Sequence, residues 1–172
     1  MVTWIIGMSG AGKTTVATRL TTHLRKRHPV IFLDGDILRD VWGDNLGHDI
    51  EGRRANAKRI SQLCRVLDHQ GFHVVAAVLS IFPDWQRWNR ENFHRYFEVF
   101  LDVPFDVLKI RDPKGLYRRA LSGEIKNVVG VDIPFPRPPH PDLVIDNSEE
   151  LSDPGILADR ILEELLLCGG KQ

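Results

Sequence analysis

GMSGAGKTT, residues 7–15, is the stretch on which the fold class turns. Gly7, Gly12, Lys13 and Thr14 occupy the fixed positions of G-x-x-x-x-G-K-[ST], directly after the short apolar run Val2–Ile6. A buried strand feeding a glycine-rich turn into a helix aims successive backbone N–H groups and the helix N-terminus at one point. Gly7, Gly10 and Gly12 supply permissive dihedrals and let the backbone approach a phosphate closely. Lys13 has the reach for the β- and γ-phosphates, and the Thr14 hydroxyl stands where a Mg²⁺ ligand is needed. The motif predicts a nucleoside-triphosphate site.

Working outward, the chain alternates short apolar runs with helical patterns. After the first strand and a helix over residues 13–26, Val30–Leu33 reads as a second strand that ends in Asp34-Gly35-Asp36. A short helix is expected over 37–42 and a longer one over about 51–70, where Ile60, Leu63, Cys64 and Leu67 recur at helical spacing. His73–Leu79 is a strand apolar enough for burial on both faces. A polar helix over 84–96, strands at 97–101 and 143–145, helices from Phe105 and near 116–121, and a last helix over 156–167, preceded by Pro154, complete the pattern. The expected fold is α/β: a P-loop NTPase-type parallel sheet with helices on both faces and the phosphate loop at its carboxyl edge, in one domain over 1–172.

Composition excludes several classes. Acidic and basic residues balance at 23 each, so no global field draws the chain to nucleic acid or to a membrane surface. The longest wholly apolar run, Val74–Leu79, is too short to cross a bilayer, and the N-terminus lacks a basic segment before its apolar residues. Cys64 and Cys168 lie far apart without metal-ligand spacing, which fits reduced thiols and a cytoplasmic protein. A guanine-reading N-K-x-D segment is absent, because Lys126-Asn127 stand in the wrong order. A catalytically inactive regulatory domain is disfavoured, since the loop lysine and both aspartates are present.

Beyond the loop, three features carry chemistry. Asp34 and Asp36 end the second strand on the same sheet edge, where one carboxylate can serve metal-bound water and another a hydroxyl acceptor; Asp-Gly-Asp is also turn-favouring on its own account. Arg39 and Arg53 sit near helix starts, from which they can clamp an anionic acceptor, whereas Arg54 and Arg59 read as a solvated face. The basic, glycine-containing segment RDPKGLY, 111–117, has the composition of a mobile lid over transferring phosphates, or of an ordinary loop. Trp85 and Trp88, three apart on the polar helix, read as partial core; an exposed pair would suggest a subunit interface.

These segments together resemble the adenylyl-sulfate (APS) kinase family over nearly the whole chain. The resemblance rests on GMSGAGKTT, LDGD at 33–36 with Arg39, NLG at 45–47, Arg53 with Asn56, Ser80, RDPKGLY, and GEIK at 123–126. It implies an ATP- and Mg²⁺-dependent kinase acting on the 3′-hydroxyl of a nucleotide, and a homodimer. By that resemblance Gly7, Ser9, Gly10, Ala11, Gly12, Lys13, Thr14, Thr15 and Arg111 hold ATP. Thr14 and, through water, Asp34 hold the metal; Lys13, Asp34 and Asp36 are the catalytic set. Asp36, Arg39, His48, Arg53, Asn56, Leu79, Ser80, Lys126 and Val128 hold the acceptor, and the lid runs over about 111–132.

Departures from the family pattern all fall on the acceptor side. Where members read NLGF, with the phenylalanine stacked on the acceptor's adenine, this chain has His48. Where K-x-F-T-G supplies the opposite ring, it has Lys126-Asn127-Val128-Val129-Gly130. The usual I-S-P-[YF]-R is Leu79-Ser80-Ile81-Phe82-Pro83, without its arginine. Each lost aromatic–base contact is worth roughly 1–3 kcal/mol. These segments, with Asn89-Arg90, are also similar to a branch of the family that phosphorylates cytidine diphosphoramidate, a capsular-polysaccharide precursor whose smaller pyrimidine suits a less aromatic wall.

Overall fold

The computed structural model describes residues 1–43, 46–149, 153 and 155–169. Asn45 of the NLG segment and Pro154 lie outside the described residues, as does the side chain of Cys168. Five strands, β1 (Val2–Ile6), β2 (Val30–Asp34), β3 (His73–Val78), β4 (Tyr96–Asp102) and β5 (Leu143–Asp146), form one sheet in the order β2-β3-β1-β4-β5. All four pairings are parallel, with Ile6 beside Val78 and Phe100. The connections are helical: α1 (Lys13–Leu24), α2 (Gly35–Val41), α3 (Ile50–His69), α4 (Pro83–Asn92), α5 (Phe105–Arg111), α6 (Leu116–Leu121) and α7 (Gly155–Gly169).

Strand pleating divides the core between two faces. On one, Ile5, Val75, Ala77, Val99 and Leu101 meet Val16, Ala17 and Leu20 of α1 and Leu157, Ala158 and Ile161 of α7. On the other, Trp4, Ile6, Val74, Ala76, Val78 and Phe100 meet Ile60 and Cys64 of α3. Burial on both faces explains why β1 and β3 read as continuous apolar runs. Among the described residues, no helix is long and apolar enough to cross a membrane.

Two expected boundaries shift for local reasons. The short helix after β2 starts at Gly35, not Ile37, because Asp34 Oδ1 accepts from the N–H groups of Asp36 (2.9 Å) and Ile37 (3.4 Å) and caps it. Asp-Gly-Asp is therefore a helix entry, not a free turn. The polar helix ends at Asn92, short of Tyr96, where the Asn92 carboxamide donates to the Trp88 carbonyl and Phe93 turns extended into the core. Trp85 and Trp88 are half-buried and meet edge to face at 5.3 Å, as partial core.

At the sheet's amino edge, Asp68, His69 and His94 bring ligand-type atoms within 4.8 Å of one another. Both Asp68 oxygens already have partners, the Met1 amino group on Oδ1 and the His94 backbone N–H on Oδ2 at 2.7 Å. The carboxylate is balanced by those groups, so this cluster ties α3 to the entry of β4.

Candidate functional site

At the opposite, carboxyl edge of the sheet a cleft of about 1190 Å³ runs from the phosphate loop past Asp34 and Asp36 to Arg53 and Asn56. Gly10 (φ 81°) and Gly12 (φ 91°) adopt left-handed conformations that set the loop's curl. A β-carbon on Gly12 would come within 2.9 Å of the Asn147 amide nitrogen, which donates to the Ala11 carbonyl at 3.0 Å. Ser9, Gly10, Gly12, Lys13, Thr14 and Thr15 line the cleft. Gly7 and Ala11 do not. Ala11 is fully buried, and a β-carbon on Gly7 would press on it and on the Leu101 carbonyl at 3.1 Å, so both shape the loop from behind.

Lys13 Nζ donates to the Met8 carbonyl at 2.8 Å, bridging the loop's own mouth. Burial pulls its pKa down to about 8, against the raising pull of the Asp36 and Asp34 carboxylates. The Thr14 hydroxyl donates to Asp34 Oδ2 at 2.7 Å, which brings two hard oxygen donors together as a divalent cation requires. Two residues on, Asp36 Oδ2 accepts from Lys114 Nζ at 2.7 Å. Burial works to raise the Asp36 carboxyl, but that hydrogen bond and the charges of Lys114, Lys13 and Arg39 outweigh it and hold it below the ordinary carboxylate value.

The acceptor half is drawn from separate segments. Arg39 donates to the carbonyls of Leu46 (3.2 Å) and Gly47 (2.8 Å), fixing the loop that carries His48 at the cleft rim. Burial, then the positive Arg39 and Arg53, hold the His48 pKa below its usual value. Arg53 donates to the Asn127 carbonyl at 2.7 Å and ties α3 to the 127–133 loop. Arg53 Nε and Asn56 Oδ1, both buried at this wall, have no hydrogen-bond partner among the described residues. Leu79 and Ser80 line the cleft beside Ile81 and Phe82.

Two expected acceptor residues stand elsewhere. The side chain of Val128 is 3% exposed and packs into the core beneath the sheet; Val129, with Ile81 and Phe82, faces the cleft instead. The reason is local: the Asp132 carboxylate accepts from the N–H groups of Asn127 and Val128, and Asn127 takes a left-handed φ of 65°. That turn sends residue 128 into the main core and residue 129, buried as well, into the Ile81–Phe82–Ile133 cluster at the cleft wall. Lys126 is exposed and lies outside the cleft lining.

On the far rim Arg111 lines the cleft and donates to the carbonyls of Ser148 (3.2 Å) and Glu149 (3.0 Å). Tyr117, buried, donates to the Ser9 carbonyl at 2.9 Å and fastens α6 to the phosphate loop. Lys114, Tyr117 and Asn147 were not singled out individually from the sequence. The first two lie within RDPKGLY, whereas Asn147 carries no local signal at the end of β5.

The adenylylsulphate kinase family model matches residues 1–146. The chain belongs to the adenylylsulphate kinase family. It is similar to the adenylyl-sulfate kinase of Pseudomonas aeruginosa, 40% identical over 168 residues that span 95% of this chain and 84% of the relative. It is nearly as similar to the cytidine diphosphoramidate kinase of Campylobacter jejuni, 38% identical over 148 residues, or 86% of each chain. Among solved structures, the Mycobacterium tuberculosis APS kinase CysC in complex with AMPPNP and APS superposes with a TM-score of 0.87, at 32% identity and over 96% of both chains. The shikimate kinase of Aquifex aeolicus, at 16% identity and a TM-score of 0.60, shares the fold alone. Membership of the adenylylsulphate kinase family makes this chain a phosphate-transferring enzyme with a P-loop fold.

Proposed function

We propose that this enzyme transfers the γ-phosphate of ATP to the 3′-hydroxyl of adenylyl sulfate or a closely related nucleotide. The observation that carries the reading is the position of Asp36, in one cleft between Lys13 and Thr14 of the phosphate loop and the guanidinium groups of Arg39 and Arg53. The loop and Lys13 hold the β- and γ-phosphates; Arg39, Arg53 and Asn56 hold the anionic acceptor. Thr14, with Asp34 through water, would hold Mg²⁺, which when bound neutralises charge on the phosphate oxygens. Asp36 orients the hydroxyl and takes its proton. A carboxylate held below its ordinary pKa is a weak base, which suits a loose transition state in which positioning outweighs proton abstraction. Parting the Lys114–Asp36 pair frees the carboxylate for the hydroxyl, so the segment from Arg111 to about 132 acts as a lid.

One observation favours a second acceptor, cytidine diphosphoramidate. The acceptor wall carries Val129 and Ile81 beside Phe82, and His48 is the ring on the 46–48 rim, so neither stacking phenylalanine of the family pattern is kept, which suits a smaller pyrimidine. Phosphoryl transfer from ATP·Mg²⁺ to APS, run beside the cytidine compound, separates the two. Turnover of APS at the higher kcat/KM supports the first reading, turnover of the cytidine compound alone supports the second, and transfer to neither overturns both. We further propose a cytoplasmic homodimer, the dimer resting on the family resemblance and checked by analytical ultracentrifugation.

A further inference from the structure

Ser80 lies two residues past the end of β3 and lines the cleft, yet its backbone is left-handed, with φ of 52°. Ser80 and Asn127 (φ 65°) are non-glycine residues held in the left-handed region. An L-residue keeps such a conformation only where its surroundings over-determine it. Asn127 has the Asp132 carboxylate and Arg53 for that purpose. Ser80 has two side chains from different elements. Gln86, in the first turns of α4, donates through Nε2 to the Ser80 carbonyl at 2.9 Å and to its hydroxyl at 3.3 Å. Trp4, in the middle of β1, donates through Nε1 to the same hydroxyl at 3.1 Å.

Gln86 is 4% exposed and does not line the cleft, so it meets no ligand there. Both hydrogen bonds of its Nε2 go to Ser80, while the buried Oε1 has no partner among the described residues, so Ser80 is what the carboxamide holds. The turn it holds is what diverts the chain from β3, so that Ile81 and Phe82 fold back onto Val129 and Ile133 and close the acceptor wall. We infer that Gln86 is a positioning residue for the acceptor: it pins Ser80 in its left-handed turn and thereby sets the acceptor subsite, without touching the nucleotide. The inference rests on the reading that the end of the cleft beyond Asp36 takes the acceptor.

The test is a double-mutant cycle. Gln86→Met keeps the volume and removes the donor, and Gln86→Ala serves as a second variant if the first folds poorly. Gln86→Met raises the acceptor KM about tenfold, while the KM for ATP and the melting temperature stay near those of the parent. In a Ser80→Gly background, glycine adopts the turn freely, so adding Gln86→Met changes the acceptor KM less than threefold. An equal rise in both backgrounds, a matching rise in the ATP KM, or no rise at all overturns the proposal. Amide hydrogen exchange across residues 79–82, faster in Gln86→Met but not further accelerated in the Ser80→Gly background, reads the clamp without any acceptor. If the parent transfers phosphate to neither nucleotide, the functional reading has failed, and the exchange result alone upholds or overturns the clamp.

Discussion

The two halves of the cleft are built differently. The triphosphate half comes from one unbroken stretch, residues 9–15, whose shape is set by the left-handed Gly10 and Gly12 and by the Asn147 carboxamide that leaves no room for a β-carbon at Gly12. The acceptor half is assembled from α2, the 46–48 rim, α3, the turn after β3 and the 127–133 loop, each fixed by a hydrogen bond to another segment. A contiguous backbone cradle tolerates few changes and reads one chemical group, a phosphate chain. An assembled wall can change one segment at a time, and the departures from the family pattern at His48, Val128 and Pro83 all fall in the segments that build it.

That contrast yields graded expectations. Lys13→Ala removes the lysine cation of residues 9–15 and lowers kcat on the order of a thousandfold, with an unchanged circular-dichroism melt; near-parent turnover would break the assignment of the triphosphate half. Asp36→Asn, at the junction, keeps the hydrogen-bonding shape and loses the charge. It lowers kcat about a hundredfold with little effect on the KM of ATP, measured under saturating acceptor.

A smaller effect follows from Lys13 as a titrating group. Its pKa lies near 8, so the free enzyme carries the charge below that pH and loses it above. The kcat/KM for ATP is therefore level toward neutrality and falls about tenfold per pH unit above 8. The kcat/KM for the acceptor at saturating ATP stays level further into the alkaline range, because bound phosphates hold the proton on Lys13. Parallel declines would show that the two halves titrate together.

The smallest pair sharpens the acceptor wall itself. Val128→Ala opens space in the core and costs about 2 kcal/mol of stability, read by urea unfolding, with the acceptor KM within twofold. Val129→Ala removes cleft surface and raises the acceptor KM about fivefold. Reversal of those two outcomes would return residue 128 to the wall.

How much of this was legible in the sequence follows the same division. The strands of the sheet and the phosphate loop were readable because each is a local pattern: continuous apolar runs for strands buried on both faces, and fixed glycines before a lysine. The end of α4 was not, since Asn92-Phe93-His94 contain no glycine or proline stop and the helix ends through a carboxamide on its own last turn and a buried Phe93. Asp34 was placed with the site but its second duty, capping α2, lay hidden behind a turn-like sequence. The exchange of Val128 for Val129 depends on a carboxylate four residues further on, and the Lys114–Asp36 pair joins residues 78 positions apart. Neither leaves a periodicity to read.

The most direct measurement is ³¹P NMR of the product formed from APS and ATP·Mg²⁺. With Asp36 between the phosphate cradle and the acceptor clamp, the geometry predicts one new phosphomonoester, on the 3′-hydroxyl, and its loss in Asp36→Asn. Release of inorganic phosphate from ATP with no phosphorylated nucleotide would contradict it.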